Sequence, residues 1–148
     1  MQSKHILVLG AGLSSSSLIR YLLDHSETEG WKVTLGDISK ELAESKIGGH
    51  AHGEALQFNV HDARQREECI KSAGVVISML PARMHHLVAH DCVEYGSHLV
   101  TASYVSDEIR DLDEKARENG VLLLNEMGVD PGIDHMSAMQ VIDHIGEA

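Results

Sequence analysis

A doubly wound parallel α/β sheet of six strands with helices on both faces is predicted by three observations. A short apolar strand, His5-Ile-Leu-Val-Leu9, runs directly into Gly10-Ala-Gly12-Leu-Ser-Ser15 and then into an amphipathic helix. Short apolar runs go on alternating with helical patterns along the rest of the chain. The second of these runs ends on Asp37, the place for a strand-end carboxylate in such a fold. Together they describe a Rossmann-type arrangement, whose ligand sits in the crevice outside the carboxyl ends of the strands.

The elements follow in order. Gly10 permits the tight turn out of the first strand. Gly12 lacks a Cβ, so a pyrophosphate can approach the backbone at the positive end of the helix. Ser15 takes the third position of the fingerprint, where a small residue still allows helix–strand packing, and the hydroxyls of residues 14–17 add donors near the phosphates. After the polar tract of residues 24–30, Trp31-Lys-Val-Thr-Leu35 reads as a second strand ending at Gly36-Asp37, and residues 39–46 as a short helix. Residues 48–53 form a glycine-rich loop, residues 54–60 a third strand and residues 63–73 a helix. Val75-Val-Ile-Ser-Met79 is a fourth strand, apolar at its start as a strand buried on both faces should be. A helix over residues 84–95 stops at Gly96, His98-Leu-Val-Thr101 is strand five, and a helix over 107–119 closes at Gly120. Val121-Leu-Leu-Leu124 is strand six, and residues 131–145 are helical. There are no internal repeats or low-complexity linkers.

Composition limits the function. A chain of 148 residues fits one domain and buries roughly two-thirds of its unfolded surface. Twelve basic against twenty-three acidic residues give a net charge of −11, which disfavours nucleic acid and anionic membranes as partners. An anionic dinucleotide must then be held by local backbone N–H groups. The stretch before Gly10 is too short for a signal-peptide core and no apolar run approaches membrane-spanning length, so a cytoplasmic location is expected. Cys69 and Cys92 lack CxxC spacing and read as buried free thiols. Among the 11 histidines, His85, His86 and His90 fall within two turns of one helix, but no zinc-type motif accompanies them; a solvated helix face explains them, and no metal is expected.

The crevice is predicted from the loops 10–15, 37–40, 79–83, 101–106 and 125–134. Asp37 accepts hydrogen bonds from adenosine ribose hydroxyls or serves as a turn acid before the next helix. Its distance from Gly12 somewhat exceeds the usual value of about 20 residues, and the polar tract before the second strand accounts for the excess. Asp62 sits where adenine contacts are often made and is an equally good N-cap. Leu80-Pro81 stiffens a loop that would line phosphate and nicotinamide, or is plain punctuation. Ser103 and Tyr104 offer hydroxyls toward a substrate, or are ordinary surface hydroxyls. Asp130-Pro131 has the pattern of an N-cap followed by a proline at the first helical position; its carboxylate can also receive a substrate ammonium. No residue is identified as a general base.

Three segments, Gly10-Ala-Gly-Leu-Ser-Ser15, Thr101-Ala-Ser-Tyr104 and Asn125-Glu-Met-Gly-Val-Asp-Pro-Gly-Ile-Asp-His135, resemble those of the saccharopine dehydrogenase family, of the glutamate-forming saccharopine reductase type. The resemblance covers the whole chain but only the amino-terminal coenzyme domain of a longer family enzyme. It implies an oxidoreductase of lysine metabolism that oxidises the C–N bond of saccharopine or a related secondary amine by hydride transfer to NAD or NADP. By this resemblance Ser103, Tyr104 and Asp130 contact the amino-acid substrate, and Leu13, Ser14, Asp37, Asp62, Leu80 and Pro81 line the coenzyme beside Gly10, Gly12 and Ser15. The family's other substrate contacts belong to a second domain, so residues 1–148 are expected to be a coenzyme-binding fragment, inactive alone, with a homodimer as the assembly to test. Family members of the NADP type tend to carry a basic or neutral residue where this chain has Asp37, whose carboxylate would repel a 2′-phosphate. NAD is therefore the coenzyme favoured here, although Lys40 stands three residues on.

The competing class is a nucleotide-sensing module that binds NAD without chemistry. Ser103, Tyr104 and Asp130 at the nicotinamide end favour the enzyme, because a sensor has no use for them. A methyltransferase loop would read GxGxG, whereas Ser14 follows Leu13 here. A short-chain dehydrogenase needs Tyr-xxx-Lys, and Tyr21, Tyr95 and Tyr104 are followed four residues on by His25, Leu99 and Glu108.

Overall fold

The computed structural model describes residues 4–146. The amino-terminal stretch read as too short for a signal-peptide core includes residues 1–3, outside that range. Strands β1 (His5–Leu9), β2 (Lys32–Asp37), β3 (Gly53–Gln57), β4 (Val75–Ser78), β5 (His98–Thr101) and β6 (Leu123–Leu124) form one sheet in the order β3-β2-β1-β4-β5-β6. Every pairing is parallel, so all six carboxyl ends lie along one edge. The order reverses between β1 and β4, where a crevice opens.

The pleat sorts β1 between two cores. Leu7 and Leu9 point to the face covered by α3 (Ala63–Ser72) and α4 (His85–Tyr95), where they join Val76, Ile70, Val88, Cys92 and Leu99. Val8 points to the other face, under α1 (Ser16–Glu29) and α2 (Lys40–Ile47), with Ile19, Leu22, Val33, Leu35, Ala43 and Ile47. All are nearly or fully buried, and each large aliphatic side chain so placed stabilises the fold by about 1.5–3 kcal/mol. Helices start on side-chain caps: the Ser39 hydroxyl accepts from the Leu42 N–H and the Asp62 carboxylate from the Gln65 N–H. Arg66 of α3 and Asp91 of α4 form a buried pair at 2.7 Å, and the Arg66 guanidinium also donates to the Val60 carbonyl.

Several expected boundaries move. The helix expected over residues 107–119 is broken into α5 (Asp107–Arg110) and α6 (Asp113–Glu118). The third strand stops at Gln57; the Phe58 N–H still donates to the Asp37 carbonyl at 2.7 Å while its ring packs into the core beside Leu9. The last helix, α7 (Ile133–Gly146), begins two residues later than expected, and the Asp130–Pro131 bond is cis. Asp130 is therefore not its N-cap: the Gly128 N–H donates to the Pro131 carbonyl and the chain makes one more turn before entering the helix. Helix α7 buries none of its residues; Met136, Met139, Val141, Ile142 and Ile145 are all exposed. Among the described residues no helix is long and apolar enough to cross a membrane.

Candidate functional site

The glycine loop divides its labour between its two glycines. Gly10 has φ +105°, and a Cβ there would meet the Met79 carbonyl oxygen at 2.9 Å, so the turn out of β1 beside the end of β4 admits no side chain. Gly12 has an ordinary φ of −61°, and a Cβ there would meet nothing within 4 Å. Its missing side chain is therefore not required by the fold; it leaves the backbone bare to the crevice. Residues Leu13–Ser15 make one 3-10 turn into α1. Ser15 is fully buried with its hydroxyl donating to the Gly12 carbonyl at 2.8 Å, the close packing expected of the third fingerprint position. Ser16 likewise donates to the Leu13 carbonyl, so those two hydroxyls serve the loop's own backbone and not a phosphate. Leu13, 96 % exposed, and Ser14 stand at the rim.

Asp37 lies at the end of β2 as expected, and both its oxygens are engaged. One accepts from the Ala11 N–H at 2.7 Å and the other from the Ser39 N–H at 2.9 Å. The carboxylate ties the glycine loop to the turn into α2, which is the turn role expected of it. Gly10, Gly12, Asp37, Leu80 and Pro81 line one cavity of about 520 Å³ with Ile38 and Phe58-Asn-Val-His61. The segment 58–61 was missing from the predicted loops; its signal was the position after strand three, on the adenosine side of the order reversal. Asp62 is exposed, caps α3 and does not line this cavity.

A second cavity of about 480 Å³ lies beyond Met79, which both cavities share, and is lined by Ser14, Thr101, Ala102 and residues 127–129. Here the loops after β5 and β6 meet: the Met127 N–H donates to the Thr101 carbonyl and the Glu126 N–H to the Ser103 carbonyl. The Tyr104 hydroxyl donates to Asp130 Oδ1 at 2.8 Å, so two of the three expected substrate residues are brought into contact. That hydrogen bond, made to a carboxylate, raises the Tyr104 pKa above the ordinary phenol value. Both residues are exposed.

Ser103 leads to a residue that sequence reasoning misplaced. His85 is not on a solvated helix face: it is 2 % exposed, and its Nδ1 lies 2.8 Å from the Ser78 hydroxyl while Nε2 lies 2.9 Å from Ser103 Oγ and 3.0 Å from Thr101 Oγ1. Burial pushes its pKa below the usual histidine value, keeping the ring neutral, with one donor and one acceptor nitrogen to share among three hydroxyls. The ring thus clamps the end of β4 to the end of β5 directly behind the crevice. The signal was present: His85 shares a helical face with Val88, Ala89 and Cys92, all buried. His90 is on the exposed side, so the three histidines do not gather. The one gathered trio of ligand-type groups among the described residues is Asp130, Asp134 and His135, all exposed, with Asp134 Oδ1 already accepting from the Gly132 N–H. Cys92 is buried and its thiol pKa is pushed up strongly by desolvation; it is a core residue, as expected.

Comparison with known proteins places the fold in a family. Residues 6–124 match the family model described as saccharopine dehydrogenase NADP binding domain. The alpha-aminoadipic semialdehyde synthase of Arabidopsis thaliana is 41 % identical over 120 residues, covering 81 % of this chain and 11 % of that protein. The NADP(+), L-glutamate-forming saccharopine dehydrogenase of Pyricularia oryzae is 32 % identical over 148 residues, covering 100 % of this chain and 32 % of the other. Among solved structures, the apo L-Glu-forming saccharopine dehydrogenase of Saccharomyces cerevisiae superposes with a TM-score of 0.88 at 28 % identity, over 99 % of this chain and 32 % of that one. The chain thus spans a third or less of the length of these relatives. None of them supports the NAD preference expected from Asp37, since the matching model and the Pyricularia enzyme are both described by NADP.

Proposed function

The chain belongs to the saccharopine dehydrogenase family, and from that premise we propose that its crevice binds NADP(H) as the coenzyme half of an oxidoreductase acting on the C–N bond of saccharopine or a related secondary amine. One observation carries the reading: Gly12 opens its backbone to a cavity that no requirement of the fold explains, between Asp37 on one side and Pro81 on the other. The pyrophosphate lies against that backbone at the start of α1, the adenosine reaches over Asp37 toward residues 58–61, and the nicotinamide passes Met79 toward the second cavity. Ser103, Tyr104 and Asp130, which lie on the same loops but outside the lining of that cavity, receive the substrate amine beside it: opening the Tyr104–Asp130 contact releases a carboxylate for an ammonium and a hydroxyl for a neighbouring oxygen.

When bound, the coenzyme supplies the hydride acceptor; the residues of this chain hold and orient. A reacting pair must be held within about 3–3.5 Å with water kept out, and the loops described form one wall only. Saccharopine carries three carboxylates, and the basic residues in these loops are Lys40, paired with Glu44, and Arg83, which is exposed. The 148 residues alone are therefore proposed to bind coenzyme without turnover. Calorimetric titration with NADPH tests the binding half. Gly12→Val should abolish binding while circular dichroism stays unchanged, and equal affinity in the two proteins removes the reading. Saccharopine-dependent coenzyme reduction by the 148-residue chain at a rate typical of an intact dehydrogenase would remove the half-site.

A further inference from the structure

We propose that Lys46 is the cation that receives the 2′-phosphate of NADP(H), and that it is what allows a site with Asp37 at the end of β2 to accept the phosphorylated coenzyme. The inference rests on the dinucleotide reading above.

Lys46 lies in the last turn of α2, yet its ammonium is folded back onto the coenzyme loop, donating to the Gly12 carbonyl at 2.7 Å and to Ser16 Oγ at 2.6 Å. An ammonium has three N–H donors, so one is left for a ligand. The charge is also unspent. Lys32, Lys40, Lys71 and Lys115 each face a carboxylate, whereas Lys46 is in no ion pair among the described residues. In a chain of net charge −11, an uncompensated cation held against the loop that opens the crevice is a local reversal of sign where an anion must dock.

The side of approach decides which phosphate it meets. The pyrophosphate is taken by N–H groups at the start of α1, on the face where Gly12 is bare. Lys46 reaches the loop at the Gly12 carbonyl and Ser16 Oγ, from the end of α2. It belongs to the same strand–turn–helix unit as Asp37, the unit that faces the adenosine ribose in this fold. The other charges there have partners of their own. Asp37 accepts from the Ala11 and Ser39 N–H groups, and Lys40 lies 3.4 Å from Glu44. Ile38, next to Asp37, offers no side-chain donor. A dianionic phosphomonoester on the ribose therefore meets in Lys46 a cation with no ion pair among the described residues, on a half-buried stem of rotatable bonds that can swing from the Gly12 carbonyl to a ligand.

The test uses the 148-residue chain and three ligands, NADPH, NADH and 2′,5′-ADP, titrated by calorimetry into wild type, Lys46→Gln and Lys46→Arg. Lys46→Gln should weaken NADPH and 2′,5′-ADP about tenfold and leave NADH within about twofold. Lys46→Arg should keep most of the NADPH affinity. An equal loss for NADPH and NADH would place Lys46 on the pyrophosphate and overturn the proposal, and so would no loss for either. If wild type binds neither coenzyme, the dinucleotide reading falls and this one with it. If it binds NADH normally and Lys46→Gln leaves NADPH untouched, only the Lys46 assignment falls.

Discussion

Where β1, β2 and β4 end, the crevice is made of backbone: a glycine turn, a bare Gly12 and a carboxylate holding two N–H groups. Where β5 and β6 end, it is made of side chains that hold one another: His85 with three hydroxyls and Tyr104 with Asp130. The first half is complete before any ligand arrives, because backbone geometry is fixed by the same packing that folds the sheet. The second rests on side-chain contacts, of which the Tyr104–Asp130 pair is exposed. The end built from backbone is thus fixed by the fold, the end built from side chains is adjustable, and substitutions should separate the two.

The largest effect is expected at Gly10. A valine there would take a backbone of φ +105° and place a Cβ 2.9 Å from the Met79 carbonyl oxygen, so Gly10→Val should cost about 2–5 kcal/mol of folding stability by urea titration. Gly12→Val should stay within about 0.5 kcal/mol of wild type while losing coenzyme. If both glycines cost the same stability, the rigid half is not built as described.

His85 comes next. Replacing it by alanine leaves the Ser78 and Thr101 hydroxyls buried without their shared partner and opens a cavity, an expected loss of about 2–4 kcal/mol. Its pH dependence has a definite sign. The folded-state pKa lies below the unfolded value of 6.5, so the unfolded chain binds the proton more readily; stability is full above pH 6.5 and falls as acid is added through the window beneath it. His85→Gln should lose less stability than wild type between pH 7 and pH 5 in parallel melts. A steeper loss in the variant would mean that the ring is not held neutral.

The smallest effect belongs to the exposed pair. Tyr104→Phe and Asp130→Asn should each leave stability within about 0.5 kcal/mol and coenzyme affinity within twofold. Asp130→Asn should also lower the Tyr104 phenol pKa, since the carboxylate that raises it is gone; ultraviolet titration against Tyr104→Phe isolates that one phenol. An unmoved titration would show that the pair does not persist in solution.

Legibility in the sequence followed the same division. The alternation of strands and helices, the glycine loop, Asp37 and the crevice edge could be read because periodicity and glycine placement record backbone constraints directly. The polar contacts could not, because they join residues far apart in sequence: Lys46 to Gly12, His85 to Ser103, Tyr104 to Asp130. His85 was misread as a surface histidine by attention to its neighbours His86 and His90 when Val88, Ala89 and Cys92 marked its face. Asp130-Pro131 matched a helix-start pattern that sequence alone cannot distinguish from the tighter turn found there.

Helix α7 also sets how the material behaves in a tube. An apolar stripe of Met136, Met139, Ile142 and Ile145 rides on a molecule of net charge −11, so at low ionic strength copies repel before their stripes can touch. Salt shortens the reach of that repulsion from about 10 Å at 0.1 M to about 3 Å at 1 M and leaves the stripe as sticky as before. Light scattering should therefore climb with added salt, and glutamines in place of Met139 and Ile142 should flatten the climb.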